Sequence, residues 1–262
     1  MVQRASANNR GIASDGAQIA NWYAGLPPCT KFLLGSTVTL TLASGLHFVN
    51  PHLMLLFWND IWSKFQIWRL VTASLTFSLS INGIIGILML YQHSRDLEMQ
   101  EFLGRSADYA WFLIFCVLNI YIAGRCVVDE YIYTDGLLIC IITLWALHRQ
   151  EQIVSFWFGF KFPARYFPYV LMAIEYLLVR KSAPYSMIYG WGAAQLYYYL
   201  SVDLPAQGRV NYIPTPQLLY KLLGQSRRTS ARSVSSGIAT SSNPIHQTPG
   251  GGHYWGAGRR LG

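Results

Sequence analysis

From Leu70 to His93 the chain has no Lys, Arg, Asp or Glu. That run is as long as a membrane span, which needs about 20 residues at 1.5 Å per residue. Few soluble folds tolerate so long an uncharged stretch, so the chain reads as a polytopic membrane protein. Composition agrees: 52% of residues are hydrophobic and only 12% charged, about half the charged share of a soluble domain. The net charge of +8 does not point to nucleic acid, because the basic residues lie between and after apolar runs. Cys29, Cys116, Cys126 and Cys140 are scattered without CxxC spacing. Neither a zinc site nor a disulfide framework is indicated. No cofactor or metal is expected.

Six apolar stretches follow one another, at about 32–49, 78–91, 109–123, 131–147, 167–179 and 185–200. The expected fold class is an all-α membrane protein, a bundle of six transmembrane helices with a disordered C-terminal tail. Its expected parts are an N-terminal segment (1–30), the membrane domain (31–201), a linker (202–251) and a terminal motif (252–262). The first thirty residues lack the apolar core of a signal peptide, so the first span is expected to be the targeting signal. An even number of spans puts both termini on one side. Outside the tail, that side carries Arg4, Arg10, Lys31, Arg95, Arg105, Arg149, Lys161 and Arg165, and the other carries Lys64, Arg69, Arg125, Arg180 and Lys181. Eight basic residues against five favours cytosolic termini. The third, fifth and sixth stretches are short for a full bilayer, either because the membrane is thinned there or because their ends run further than hydropathy shows.

Glu175 is the ionisable residue expected inside a span, where it either snorkels or bonds a neighbouring helix. In "YGWGAAQLYYYL", Gly190 and Ala194 lie four apart and form a small-residue face for close helix approach, which Gly192 is expected to widen. Gln195 follows that face, and an amide there is expected to bond another helix. Between the first two spans, "NPHLMLLFWNDIWSKFQIWR" is too broken to cross and suits the membrane interface. Trp68 and Arg69 close it, either as an interfacial anchor or as a pair in which Arg69 bonds loop carbonyls.

These residues resemble the derlins, members of the rhomboid-like superfamily. The resemblance rests on "WYAGLPPCT", "FQIWRLVTASL", "LYQHSRDLEMQEFLGRSADY", "IVSFWFGFKFPARYFPYVL", "GAAQLYYYL", "TPQLLYKLL" and "WGAGRRLG", in the family's order. It implies a six-span rhomboid fold in the endoplasmic reticulum membrane and a role in clearing misfolded proteins from that compartment for degradation. Two features depart from the pattern. Derlins usually carry Gly-His where this chain has Ala194 and Gln195, and the segment after Trp68 and Arg69 is shortened. Active rhomboids pair a serine at the start of the fourth span with a histidine in the sixth. Here the fourth reads "YIYTDGLLICIITLWAL", without serine, and the sixth has no histidine. An amide is not a useful base, so Gln195 cannot activate a hydroxyl. The expectation is a pseudoprotease with no catalytic residue; an active intramembrane protease and a channel are the weaker readings.

The chain ends "GGHYWGAGRRLG" after a Ser/Thr/Gly-rich stretch too poor in apolar residues to fold alone. A linker of that length wanders ~30 Å. Trp255 and Leu261 would sit ~20 Å apart if extended. Gly256 and Gly258 leave room for a partner backbone, Arg259 and Arg260 add charge, and Gly262 belongs to the same motif. The segment resembles the SHP box by which derlins hold the N-terminal domain of the valosin-containing-protein type of AAA+ ATPase. The other partners implied are a membrane ubiquitin ligase complex, misfolded protein substrates, membrane lipid and a second copy of the chain. A passive tether for the ATPase is the alternative function.

Overall fold

Pro27 and Pro28 decide where the first helix begins. Pro27 is extended (φ −60°, ψ 147°) and Pro28 opens α1 (Pro28–Gly45). A proline at the first helical position loses nothing, since its missing N–H would have had no partner there. Pro27 supplies no side-chain cap at this start, so the free amides of the first turn must be satisfied from elsewhere in the fold. This computed structural model describes residues 18, 20–50, 53–58, 65–66, 68–127, 131–155, 159, 161–180, 184–208 and 213–224. The chain divides into two units, 1–227 and 228–262; the second lies outside the described residues.

After α1 come α2 (Trp68–Leu75), α3 (Ile81–Asp96), α4 (Ser106–Val127) and α5 (Thr134–His148). A hairpin follows, β1 (Ile153–Ser155) with β2 (Lys161–Pro163), antiparallel with Val154 opposite Phe162. Next are α6 (Phe167–Ile174), α7 (Tyr185–Tyr198) and the short α8 (Gln217–Leu222). The chain is mostly helical, as expected, with one short hairpin added that the all-α reading did not include. Helices α3, α6 and α7 run on into wider π-helical turns at Leu97–Glu101, Glu175–Arg180 and Tyr199–Asp203.

The uncharged run that reads as one stretch is two helices. Residues 76–80 are not helical. Ser80 then caps α3, its hydroxyl accepting from Gly83 N at 3.3 Å. The break is a run of Thr and Ser, whose side chains bond local backbone and compete with the helix ladder.

α5 is the centre. Residues 136–146 are all buried, as expected for a helix apolar on every side. α7 packs along it, and α3, α4 and α6 also pack against it. Among the described residues, one helix is long and apolar enough to cross a membrane by length and composition, Ser106–Cys126. At 22 residues α4 is about 33 Å long, so the shortness of the third stretch was an error of its ends. Cys116 of α4 and Cys140 of α5 form a disulfide between these helices, with Cα atoms 6.8 Å apart. The spacing of the cysteines did not indicate this pairing, because helix packing brings together positions that carry no motif. The linker expected from 202 also begins too early. The helix continues to Ala206, and α8 lies within the folded unit.

Candidate functional site: a loop clamp, a helix crossing and a buried carboxylate

Two clusters of buried polar groups stand at opposite ends of the bundle. At one end α2 and residues 53–58 meet the start of α5. Arg69, only 3% exposed, donates from Nε to Gln66 Oε1 at 2.5 Å and from Nη1 to the Leu55 carbonyl at 2.6 Å. Its guanidinium lies over the Phe57 ring, 5.6 Å from the centroid. Trp68 points outward, 54% exposed. The two adjacent residues therefore do different things: Arg69 fastens the loop and Trp68 faces the surroundings. The loop is tied on its far side as well, by Leu56 N to the Tyr131 carbonyl at 3.0 Å.

The start of α5 is held by α2. Tyr133 N donates to the Ala73 carbonyl at 3.0 Å, and Thr134 Oγ1 donates to the Thr76 carbonyl at 2.8 Å. Ser74 Oγ and the Tyr121 hydroxyl share a hydrogen bond of 2.8 Å, and the Tyr121 hydroxyl also reaches the Leu70 carbonyl. These hydroxyls are occupied as structural ties.

Just inside this end α5 and α7 cross backbone to backbone. A Cβ on Gly190 would lie 2.0 Å from the Gly136 carbonyl oxygen, and one on Gly136 would lie 2.6 Å from the Ser186 carbonyl oxygen. Of the small-residue face expected on α7, Gly190 makes this contact and Ala194 is fully buried. Gly192 does not take part: nothing stands within 4 Å of where its Cβ would be. Two residues turn a helix by about 200°, so Gly192 looks away from the crossing. Gln195 is half-buried and, among the described residues, its amide has no hydrogen-bond partner. Glu175 is half-buried at the step from α6 into its π turn.

At the opposite end stands the carboxylate that sequence reasoning missed. Glu98, in the π turn after α3, is 0% exposed. Its Oε1 accepts from Cys29 N at 3.1 Å and from the Ser106 hydroxyl. Its Oε2 accepts from Thr30 N at 2.7 Å and Thr30 Oγ1 at 2.8 Å. These are the bare amides left by the proline start of α1, and a carboxylate suits the positive end of a helix dipole. Ser94 joins Thr30 Oγ1 at 3.0 Å and accepts from the Tyr109 hydroxyl at 2.8 Å. The chain reverses between Glu98 and Ser106 through Leu103 and Gly104, both with positive φ (51° and 74°). Glu98 thus binds the starts of α1 and α4 to the end of α3. The signal for it was available: an uncapped helix start needs an acceptor, and "LEMQEFLGRS" supplies carboxylates beside a turn.

The same end holds Arg149, which donates to Glu101 Oε1 at 3.2 Å and to Gln100, and covers the Trp145 ring at 5.7 Å. A cavity of about 480 Å³ opens beside it, lined by His93, Asp96, Trp145, Val154 and Phe167 among others. His93 places Nδ1 on the Met89 carbonyl at 2.8 Å, and His148 does the same with Leu144 at 2.9 Å. Each of these two rings is thus fastened one turn back on its own helix. Trp255, Gly256, Gly258, Arg259, Arg260, Leu261 and Gly262 lie outside the described residues.

Among the described residues the helical bundle has one helix of bilayer length and a cluster of buried polar ties at each of two ends. The Der1-like family model matches residues 26–217. The chain is 32% identical to Derlin-1 of Homo sapiens over 252 residues, covering 94% of this chain and 99% of that protein. It is 30% identical to Derlin-1 of Caenorhabditis elegans over 93% of this chain and 98% of that one. With Derlin-1.2 of Zea mays it shares 25% identity over 79% of this chain and 86% of that one. The chain belongs to the Der1-like, or derlin, family.

Proposed function

We propose that this chain is a non-catalytic derlin that helps move misfolded proteins out of the endoplasmic reticulum membrane for degradation. In this reading it spans the membrane six times, with both termini in the cytosol. Its tail recruits a valosin-containing-protein-type AAA+ ATPase, and a membrane ubiquitin ligase and further copies of the chain assemble around it. The observation that carries the reading is the match to Derlin-1 along almost the whole of both chains. Span chemistry supports the non-catalytic part. Ala194 and Gln195 occupy the place where derlins usually carry Gly-His, residues 167–203 contain no histidine, and the Thr134 hydroxyl is committed to carbonyl oxygens. A hydroxyl without a base within hydrogen-bond reach is a poor nucleophile. Substrate passage is then a matter of shelter: polar backbone in hydrocarbon costs several kcal/mol per unsatisfied group, and a polar-ended bundle lowers that cost.

The test is a titration of the purified ATPase N-terminal domain with a peptide of residues 250–262. Trp255→Ala with Leu261→Ala should weaken binding more than about tenfold, since large anchors dominate small interfaces. Replacing Arg259 and Arg260 should weaken it less, and mostly at low salt. Equal affinity of the wild-type and doubly substituted peptides would remove the ATPase from this reading.

A further inference from the structure

The block "TPQLLYKLL" has no part in that function, yet the structure binds it firmly to the bundle. Asp108 sits in the first turn of α4. Its Oδ1 accepts from Thr215 Oγ1 at 2.7 Å and from the Tyr220 hydroxyl. Its Oδ2 is 3.4 Å from Arg105 Nη1. Two hydroxyls from the segment after the last span therefore close on one carboxylate more than a hundred residues earlier in the chain. Burial and the neighbouring Asp108 push the Tyr220 hydroxyl above its ordinary range, so it remains a donor. Thr215 stands between Pro214 and Pro216. The residue before a proline avoids the helical region, and Pro216 is itself extended, with ψ 139°. The hydroxyl is thus presented from non-helical backbone, directly before proline, which is the sequence that proline-directed Ser/Thr kinases read.

We propose that Thr215 is a phosphorylation site, and that its modification releases α8 and the root of the tail from the bundle. The inference rests on the cytosolic placement of this segment proposed above. In the reaction the γ-phosphorus of ATP bonds to Thr215 Oγ1, its bond to the bridging oxygen breaks, ADP leaves, and the hydroxyl proton passes to the kinase base. The product loses the donor that holds Asp108. It also places about −1.5 to −2 charges against that carboxylate, a combination that disrupts a docked segment. The cations nearby do not reverse this. Arg105 is half exposed and already paired with Asp108, so its attraction is screened. Lys221 is exposed on α8 itself and would leave with it. The tie on Tyr220 and the packing of Leu223 against the core must then hold a helix of six residues whose Leu218 and Leu222 are exposed, and so short a helix does not persist unaided.

The experiment uses the full chain in phosphatidylcholine nanodiscs, a proline-directed Ser/Thr kinase and ATP. Mass spectrometry locates the phosphate, and amide hydrogen exchange follows residues 213–224. The expected result is phosphate on Thr215 and exchange in 217–224 faster by about tenfold or more, with α5 unchanged. Thr215→Ala should take no phosphate at this site. Asp108→Ala should speed the same exchange without kinase. Absence of phosphate from wild-type Thr215, or phosphate with unchanged exchange, overturns the proposal. Sealed endoplasmic reticulum microsomes treated with the same kinase separate the two readings. Labelling without detergent supports both, whereas labelling only after detergent overturns the cytosolic placement and leaves the nanodisc result to decide the latch.

Discussion

Arg69 and Glu98 are both buried charges at the ends of one bundle, yet they hold those ends in different ways. Arg69 holds a loop carbonyl and a neighbouring amide, both within fourteen residues of it. Glu98 reaches residues 68 and 69 positions away and joins three helices. The Arg69 end otherwise depends on shape, with backbone against backbone at Gly136 and Gly190 and hydroxyls on carbonyls. The Glu98 end depends on electrostatics, with four donors on two oxygens. A local clamp can let go of its loop while the helices stay packed. A carboxylate shared by three helices cannot be lost without loosening all of them. The difference places mobility at the loop end and rigidity at the carboxylate end.

Gly190→Leu tests the shape half and should have the largest effect. The obstacle is a carbonyl oxygen 2.0 Å from the Cβ position, and a backbone atom cannot swing aside as a side chain can. A loss above about 5 kcal/mol is expected, seen as failure to recover a monodisperse protein from micelles. Normal recovery of this variant would show that the crossing is not close-packed.

Glu98→Ala comes next. It leaves two amides and two hydroxyls facing an apolar gap, at about 3–4 kcal/mol in total. Denaturant unfolding in micelles should show it, with Glu98→Gln losing less because one carbonyl oxygen remains. If Ala and Gln variants unfold at the same point as wild type, the electrostatic half of the comparison fails.

Arg69→Ala should cost less, about 2 kcal/mol, and its effect should stay local. Hydrogen exchange in 53–58 should rise while exchange at the start of α1 stays as it was. A rise spread evenly over both ends would erase the distinction between them. The smallest effect belongs to Gly192→Ala. Its Cβ meets open space and alanine suits a helix interior better, so a gain of about 0.5 kcal/mol is expected. A loss at this position would mean that α7 has a second close contact.

Much of the fold was legible because hydropathy reports which stretches leave water. The uncharged run, the apolar α5 and the small face at Gly190 all follow from that. The second stretch was expected from about 78 and its helix begins at Ile81, but the helix before the break at 76–80 was not separated from it, because Thr and Ser are uncharged and pass as membrane residues. Gly192 misled because small residues two apart look like one patch in a sequence and lie on opposite sides of a helix. Glu98 is not marked by hydropathy, because it stands just past the end of an apolar stretch rather than inside one. Its partners Thr30 and Ser106 come from other helices, and no periodicity links them. The Asp108 tie was illegible for the same reason, being a contact between segments far apart in the chain.

The carboxylate tie also has a history in time. Cys29 and Thr30 are made 69 and 68 residues before Glu98, an interval of roughly 3–14 seconds at the usual pace of translation. For those seconds the first helix has no acceptor of its own for its leading amides. The acceptor arrives only once the third helix has been made, and Ser106 seals it eight residues later. Assembly of this bundle is therefore ordered by synthesis. A ribosome halted between Thr30 and Glu98 would leave a nascent chain whose first helix lacks its lock, and quality control would meet it in that state.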